Sequence, residues 1–176
     1  MFNEIDFSKI DISVTPPQDD TDRQYYYMAK LAAMITLREQ EMGRPVTYCL
    51  QTFGCQMNEK QSEVVAGIMD EIGFKRQDTE DADVVIYNTC TVRENANLKV
   101  YGRLGKLHSL KKSNPDMRIV LFGCMMQEKQ VVDKIRKDYP FVNLVFGTHN
   151  IFKFAELFYE MENSDSQLID SWEGTD

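Results

Sequence analysis

The stretch Asp-Val-Val-Ile-Tyr-Asn-Thr-Cys at positions 83–90 is a run of apolar and β-favouring residues that ends in a cysteine. A run of this kind, without strict alternation of apolar and polar residues, is typical of a strand buried on both faces of a parallel sheet. Helical patterns of apolar residues precede and follow it, over residues 57–72 and 93–112. We therefore expect βαβ units, with this strand near the middle of an α/β domain.

Further segments of the same two kinds lie on both sides of this strand. Short apolar runs predict four more strands, over residues 46–52, 74–77, 118–122 and 141–146. Helical periodicity predicts three more helices, over residues 21–42, 127–137 and 151–161. We expect an α/β, three-layer, flavodoxin-like domain, with a mainly parallel five-stranded sheet of order 2-1-3-4-5 and an extra amino-terminal helix.

Composition and charge limit the class of protein. The chain has 176 residues, 43% of them apolar, which is enough for one domain with a buried core. Its net charge of −8 argues against an independent nucleic-acid-binding protein. The acidity lies at the ends, because residues 1–22 hold six acids and one lysine, and residues 163–176 hold four acids and no base. We assign residues 1–22 to a loose acidic lead-in, residues 23–162 to the folded domain and residues 163–176 to a linker.

The sequence predicts no association with a membrane. The longest run without a polar side chain, residues 119–126, has eight residues, whereas a membrane-spanning helix needs about 20. Residues 1–6 lack the basic and apolar regions of a signal peptide. We therefore expect a cytoplasmic protein.

Three of the four cysteines follow predicted strands. Cys55 comes after the first strand, Cys90 after the third and Cys124 after the fourth, each just before a helix. The carboxyl ends of parallel strands lie along one edge of a sheet, and in the order 2-1-3-4-5 these three strands are neighbours. The three thiols are therefore expected to meet at this edge and to bind a metal.

The residues alone leave the kind of metal centre open. Three thiolates suit an iron–sulfur cluster with one open iron, which we favour. A zinc-binding interaction domain is the first alternative; it needs a fourth ligand, for which His149 is conceivable, and it usually has a CxxC pair that this chain lacks. A flavodoxin-like electron carrier is the second, although residues 52–58 contain a single glycine. Cys49 lies inside a strand and is predicted to be a core thiol.

One predicted helix is strongly basic. Lys99, Arg103 and Lys106 are spaced four and three residues apart, so they share one face of this helix. Such a stripe, starting close to a candidate metal centre, is suited to contact an RNA backbone. A solvated helix face is the alternative interpretation.

Three stretches of the sequence resemble a known protein family. Residues 52–63, 88–96 and 123–127 surround the three strand-end cysteines. They resemble the amino-terminal domain of the methylthiotransferases, the radical S-adenosylmethionine (SAM) enzymes that add a methylthio group. The sequences Gln-Met-Asn-Glu at 56–59 and Thr-Val-Arg-Glu-Asn at 91–95 most resemble those of the tRNA-modifying branch of the family, the MiaB type. The resemblance covers about residues 46–160.

This resemblance implies a cofactor. Cys55, Cys90 and Cys124 match the three ligands of the family's auxiliary 4Fe-4S cluster, whose free iron holds the sulfur that is transferred. In the family a second 4Fe-4S cluster, on a CxxxCxxC motif, binds SAM. This chain has no such motif, and it also lacks the family's RNA-binding module. We further predict that Asn58, Asn88 and Gln127 hydrogen-bond around the auxiliary cluster and tune it.

The resemblance also implies a substrate. We expect the cluster-binding domain of a tRNA 2-methylthio-N6-isopentenyladenosine synthase, which modifies the adenosine beside the anticodon. Its expected partners are tRNA and, in the same protein, the missing radical-SAM and RNA-binding domains. The methylthiotransferase activity is expected of the full-length enzyme, and the fragment alone is expected to be inactive.

Overall fold

A computed structural model describes residues 5–54, 56–90 and 94–170, in which helices and strands alternate along the chain. The helices are α1 (Asp20–Met42), α2 (Gln56–Ile72), α3 (Glu94–Ser113), α4 (Lys129–Asp138) and α5 (Phe154–Glu162). The strands are β1 (Thr47–Phe53), β2 (Lys75–Arg76), β3 (Val84–Thr89), β4 (Arg118–Gly123), β5 (Leu144–Phe146) and β6 (Leu168–Asp170). Short 3-10 segments span Phe7–Lys9, Cys124–Gln127 and Thr148–Lys153. Among the described helices, none combines the length and the apolar character needed to cross a membrane.

The strands form one parallel sheet with the order β2-β1-β3-β4-β5-β6. The predicted order of the first five strands is confirmed. The three central strands pair over almost their whole length. The paired region begins where Tyr48 of β1 lies opposite Val84 of β3 and Val84 lies opposite Arg118 of β4. Because parallel neighbours are joined by crossover helices, the carboxyl ends of β1, β3 and β4 lie at the same edge of the sheet.

Helices cover both faces of this sheet, so the predicted three-layer architecture is confirmed. Helices α1, α2 and α5 pack on one face, together with the buried side chains of Tyr48, Ile86 and Phe122. Helices α3 and α4 cover the other face, where Tyr87 and Leu121 are buried. Successive residues of the central strands therefore enter opposite layers, which is why these strands carry apolar side chains on both faces.

The sheet has one strand more than predicted. Strand β6 lies within residues 163–176, which the sequence analysis assigned to a linker, and Leu168 of β6 pairs with Leu144 of β5. The backbone N–H of Leu168 donates to the carbonyl of Asn143 over 2.9 Å. A three-residue strand in an acidic, serine-rich segment has too few apolar residues to produce a recognisable pattern, so its pairing depends on the neighbouring strand.

The described part of the lead-in packs on the domain, in contrast to the loose segment that was predicted. Phe7 and Ile12 are partly buried against the core layer of α1, α2 and α5. The hydroxyl of Tyr26, in α1, donates to the carbonyl of Val14 over 2.8 Å. Spaced apolar residues within an acidic segment therefore attach it to the core, because each one buries apolar surface.

The last turn of α3 contains a lysine, Lys111, that makes the stability of the fold depend on pH. The ammonium of Lys111 donates to the carbonyl of Phe141 over 2.8 Å and to Oδ1 of Asn143 over 2.7 Å. Burial, followed by the charge of Arg118, lowers the pKa of Lys111 to about 8. Between this value and the pKa of about 10.4 in an unfolded chain, the unfolded state binds more protons. The contribution of Lys111 to the free energy of unfolding therefore rises from pH 8 to about pH 10.

From pH 8 to about pH 10, we expect the free energy of unfolding of the wild type to rise relative to that of Lys111→Met. At a half-buried site, solvent screening limits the effect to roughly 1 kcal/mol. Urea denaturation of both proteins at pH 7.5 and at about pH 10 measures this effect. The change in the free energy of unfolding between the two pH values is compared for the two proteins, because groups that titrate in both contribute equally to each change. Lys112→Met, at an exposed position, is the control. Parallel curves for the wild type and Lys111→Met would contradict the lowered pKa.

Candidate metal centre

Three neighbouring strands end in one row across the sheet. Phe53 of β1 lies opposite Thr89 of β3, and Thr89 lies opposite Gly123 of β4. Neighbouring strands in a sheet are about 4.8 Å apart. Cys90 and Cys124 directly follow Thr89 and Gly123, so these two cysteines occupy equivalent positions after adjacent strands.

The loop after β1 is in direct contact with Cys90. The third predicted ligand, Cys55, lies outside the described residues, whereas the preceding Gly54 is described. A Cβ atom added to Gly54 would lie 2.6 Å from Cβ of Cys90 and 2.8 Å from Oδ1 of Asn58. Only a residue without a side chain allows so close an approach. The chain therefore touches Cys90 one residue before it reaches Cys55.

The end of β4 makes an equally close approach to β3. Gly123 has φ +121°, a conformation that residues with a side chain rarely adopt. A Cβ atom added there would lie 2.2 Å from the carbonyl oxygen of Thr89 and 2.7 Å from Oδ1 of Asn88. Glycine at this position therefore holds Cys124 beside the strand that ends at Cys90.

Two buried asparagines connect the loops of the candidate centre. Asn58 is 2% exposed, and its Nδ2 donates to Oδ1 of Asn88 and to the carbonyl of Thr89, each over 3.2 Å. Nδ2 of Asn88 donates to the carbonyl of Asn58 over 2.6 Å and to Oγ of Ser62 over 3.0 Å. These bonds join the first turns of α2 to the end of β3, just before Cys90. Sequence reasoning selected both asparagines and missed Ser62, which takes part in the same network.

The segment after β5 packs against the cysteine of β4. The hydroxyl of Thr148 donates to the sulfur of Cys124 over 3.6 Å. The side chain of Gln127 is exposed, and its Nε2 is hydrogen-bonded to Nδ1 of His149 over 3.0 Å. Sequence reasoning missed Thr148, although Phe-Gly-Thr at 146–148 repeats the pattern Phe-Gly-Cys found at 53–55 and 122–124.

Cys49 is the core thiol that was predicted. It lies inside β1, 1% exposed, in the layer covered by α3 and α4. Its sulfur contacts the carbonyl of Asp78 over 3.7 Å and Nε2 of Gln51 over 3.9 Å. Burial raises the pKa of the Cys49 thiol. A thiol that stays protonated is poorly suited to ligate a metal, because the thiolate is the ligand form.

The donor groups at this edge suit a soft metal. Thiolates are preferred ligands of iron–sulfur clusters and of zinc, and Cys124 is partly exposed while Cys90 is buried. Over residues 5–54, 56–90 and 94–170, no three His, Cys, Asp or Glu side chains form a group able to hold a metal ion by themselves. The two described thiols and the glycine contacts fit a centre that also requires Cys55.

The predicted basic stripe on α3 is divided by an ion pair. Lys99 and Lys106 are exposed. Arg103, between them, is ion-paired with Glu80, whose side chain is 5% exposed. The hydroxyl of Tyr87 donates to Oε2 of the same Glu80 over 2.9 Å. Arg103 therefore attaches α3 to the loop before β3, while the two lysines present their charges to solvent.

The two helical layers carry opposite charges. Helices α3 and α4 contain nine basic and three acidic residues, whereas α1, α2 and α5 together contain eleven acidic and four basic residues. The net charge of −8 therefore hides a basic face, formed by α3 and α4, on one side of the sheet. Polyanions are attracted to such a face over roughly a Debye length, about 8–10 Å.

Comparison with known proteins identifies the family. Residues 47–147 match the model described as "Uncharacterized protein family UPF0004". The chain belongs to the UPF0004 family. The matched region runs from the start of β1 to just beyond β5, and it includes the three strand ends and all three predicted cysteine ligands of this UPF0004 chain.

Several curated relatives of this UPF0004 chain share the name "tRNA-2-methylthio-N(6)-dimethylallyladenosine synthase". The protein from Lachnoclostridium phytofermentans is 58% identical over 149 residues, which are 85% of this chain and 33% of the relative. Those from Acetivibrio thermocellus and Bacillus licheniformis are 46% and 42% identical and cover 92% and 97% of this chain, in each case 34% of the relative. The chain thus spans about a third of their length. These relatives confirm the resemblance to the amino-terminal domain of MiaB-type enzymes.

Proposed function

We propose that this chain is the domain of a tRNA methylthiotransferase that binds the auxiliary 4Fe-4S cluster. Cys55, Cys90 and Cys124 would be the three protein ligands, leaving one iron without a protein ligand. When bound, such a cluster would carry the sulfur that the reaction transfers to the isopentenyl-adenosine beside the tRNA anticodon. A tRNA substrate would make the cytoplasm the site of this reaction.

The observation that carries this proposal is the row formed by Phe53, Thr89 and Gly123 at the ends of three adjacent strands. A cysteine follows each strand within two residues of the row, although 35 and 34 residues separate the cysteines along the chain. The hydrogen bonds of the asparagine pair and the close contacts of Gly54 and Gly123 hold the ends of β1, β3 and β4 together. Such preorganisation favours binding of a bulky centre, because these strand ends need little further ordering.

The remaining chemistry of the family would reside elsewhere in a longer protein. The second 4Fe-4S cluster and SAM need the CxxxCxxC motif, which is absent from this sequence. We assign SAM binding and the RNA-binding module to parts of the relatives that this chain does not match. The role of this chain's residues would be to hold the sulfur-carrying centre at the edge of the sheet, with Asn58 and Asn88 positioning the loops around it.

Anaerobic reconstitution with iron and sulfide tests the proposal. We expect about four irons and four sulfides per chain, with a broad visible absorbance. Binding of one zinc without sulfide uptake would instead favour the zinc-binding interaction domain. Tight binding of a flavin with no iron uptake would favour the electron carrier. All three measurements use the same 176-residue chain.

We further propose that the basic face formed by α3 and α4 contacts the tRNA backbone through Lys99 and Lys106, two of the three residues predicted to face RNA. Both side chains are exposed, and neither forms a salt bridge within the described part of the chain. Arg103, the third predicted contact, has its charge largely compensated by Glu80. Its main contribution would therefore be to the position of α3.

Charge reversal should separate these roles. We expect Lys99→Glu and Lys106→Glu each to weaken tRNA binding about three- to tenfold and to reduce the slope of log affinity against log salt by about 1. Filter binding over a range of salt concentrations measures both quantities. Lys60→Glu, at an exposed position on the opposite layer, changes the net charge by the same amount. An equal loss with Lys60→Glu would show that overall charge, and not this face, governs binding.

A further inference from the structure

A fourth loop at the candidate centre, the one after β5, has a threonine where the loops after β1, β3 and β4 have cysteines. Phe122 of β4 lies opposite Phe146 of β5. Gly147 and Thr148 therefore follow Phe146 as Gly123 and Cys124 follow Phe122. Thr148 occupies, on the next strand, the position equivalent to that of a proposed metal ligand.

Close side-chain contacts surround the glycine that precedes Thr148. A Cβ atom added to Gly147 would lie 2.9 Å from Cγ of Gln127 and 2.9 Å from Cε1 of His149. The loop after β5 therefore contacts the 3-10 segment Cys124–Gln127. The hydroxyl of Thr148 donates to the sulfur of Cys124 over 3.6 Å, a distance compatible with the larger radius of sulfur.

We propose that Thr148 is a positioning residue that donates a hydrogen bond to Cys124 in the cluster-loaded protein and thereby raises the reduction potential of the bound cluster. This inference rests on the proposed function. A metal-bound thiolate has no proton to donate, so the hydroxyl must be the donor. A hydrogen bond to a charged acceptor is stronger than a neutral one.

The direction of the effect follows from charge. Reduction adds an electron to the cluster and increases the negative charge on its ligands. A donor aimed at a ligand sulfur stabilises the reduced form more than the oxidised form, so it raises the potential. Removal of the hydroxyl should lower the potential without removing a ligand.

Potentiometric titration of the reconstituted 176-residue chain tests this. Thr148→Val removes the hydroxyl at nearly constant size, Thr148→Ser keeps it, and Thr36→Val removes a hydroxyl from α1 that donates to the carbonyl of Ala32. We expect Thr148→Val to bind as much iron as the wild type. Its reduction equilibrium should be weakened up to about tenfold, which is a negative shift of up to about 59 mV for one electron. Thr148→Ser and Thr36→Val should match the wild type.

The outcomes separate this inference from the proposed function. A wild-type chain that takes up no cluster overturns the proposed function, and the role of Thr148 with it. A wild type that loads normally, with Thr148→Val at the wild-type potential, overturns the role of Thr148 alone. If Thr148→Val does not fold, Thr148→Ala is titrated against Thr148→Ser, and equal potentials for these two again overturn the inference.

Discussion

Cys90→Ala and Cys124→Ala should each reduce the iron recovered after anaerobic reconstitution from about four atoms per chain to less than about one. A 4Fe-4S cluster is ordinarily held by four cysteines, so a centre already limited to three has no ligand to spare. Cys55→Ala should have the same effect, because Cys55 is the third proposed ligand. Iron and sulfide analysis measures the loss, and circular dichroism of each variant establishes that the fold is retained.

Cys49→Ala is the matched control for these three variants. The Cys49 thiol is buried in the layer under α3 and α4 and points into the core. Its removal should leave the iron content unchanged and cost about 1 kcal/mol of folding stability. Iron loss in Cys49→Ala together with full loading of Cys90→Ala would reverse the ligand assignment. The comparison is stringent because both variants lose a buried cysteine sulfur, one from inside β1 and one from the end of β3.

Gly123→Ala should destabilise the domain by about 3–5 kcal/mol. The new Cβ would meet the carbonyl oxygen of Thr89, 2.2 Å away in the present backbone. The positive φ of Gly123 adds the conformational strain of an ordinary residue in a region that favours glycine. Backbone atoms cannot yield as a flexible side chain can, so the ends of β3 and β4 would have to separate. A loss of this size is a large part of the 5–15 kcal/mol stability of a typical domain.

The same substitution at Gly105 should have the opposite effect on folding stability. Gly105 lies inside α3, and a Cβ there has no neighbour within 4 Å. Alanine should therefore stabilise the chain by about 0.5–1 kcal/mol through its higher helix propensity. Urea denaturation of both variants measures the two changes. If Gly123→Ala were as stable as the wild type, the close contact between β3 and β4 would be contradicted.

The sheet was predictable because its strands carry their own pattern. The residues from Val84 to Thr89 are all buried, and such a run needs no knowledge of the rest of the chain to be recognised as a central strand. The positions of Cys90 and Cys124 follow from the ends of two such strands and from the parallel connection. Asn58 and Asn88 were selected because amide side chains next to the cysteines can hydrogen-bond, and the structure places both at this edge.

Features that depend on a distant partner were not predictable. Strand β6 exists because β5 offers it an edge, and its own three residues carry little pattern. Arg103 was predicted to face RNA together with Lys99 and Lys106, since nothing near it in sequence indicates that Glu80 would form an ion pair with it. Thr148 was partly predictable, because Phe-Gly-Thr repeats the Phe-Gly-Cys pattern in the sequence. A threonine is not a ligand of a soft metal, however, so the pattern alone did not indicate a role for it. Each of these required the tertiary contact itself.

The shared row of strand ends determines which changes in chain length the protein tolerates. A turn added to α2 or α3 would lengthen the chain between two cysteines and leave both thiols where they are. One residue inserted within β1, β3 or β4 would move the following thiol by about 3.3 Å and turn the side chains beyond it to the opposite face. Length variation among homologues should therefore be concentrated in the crossovers, and a shortened, engineered version could trim helices but no strand.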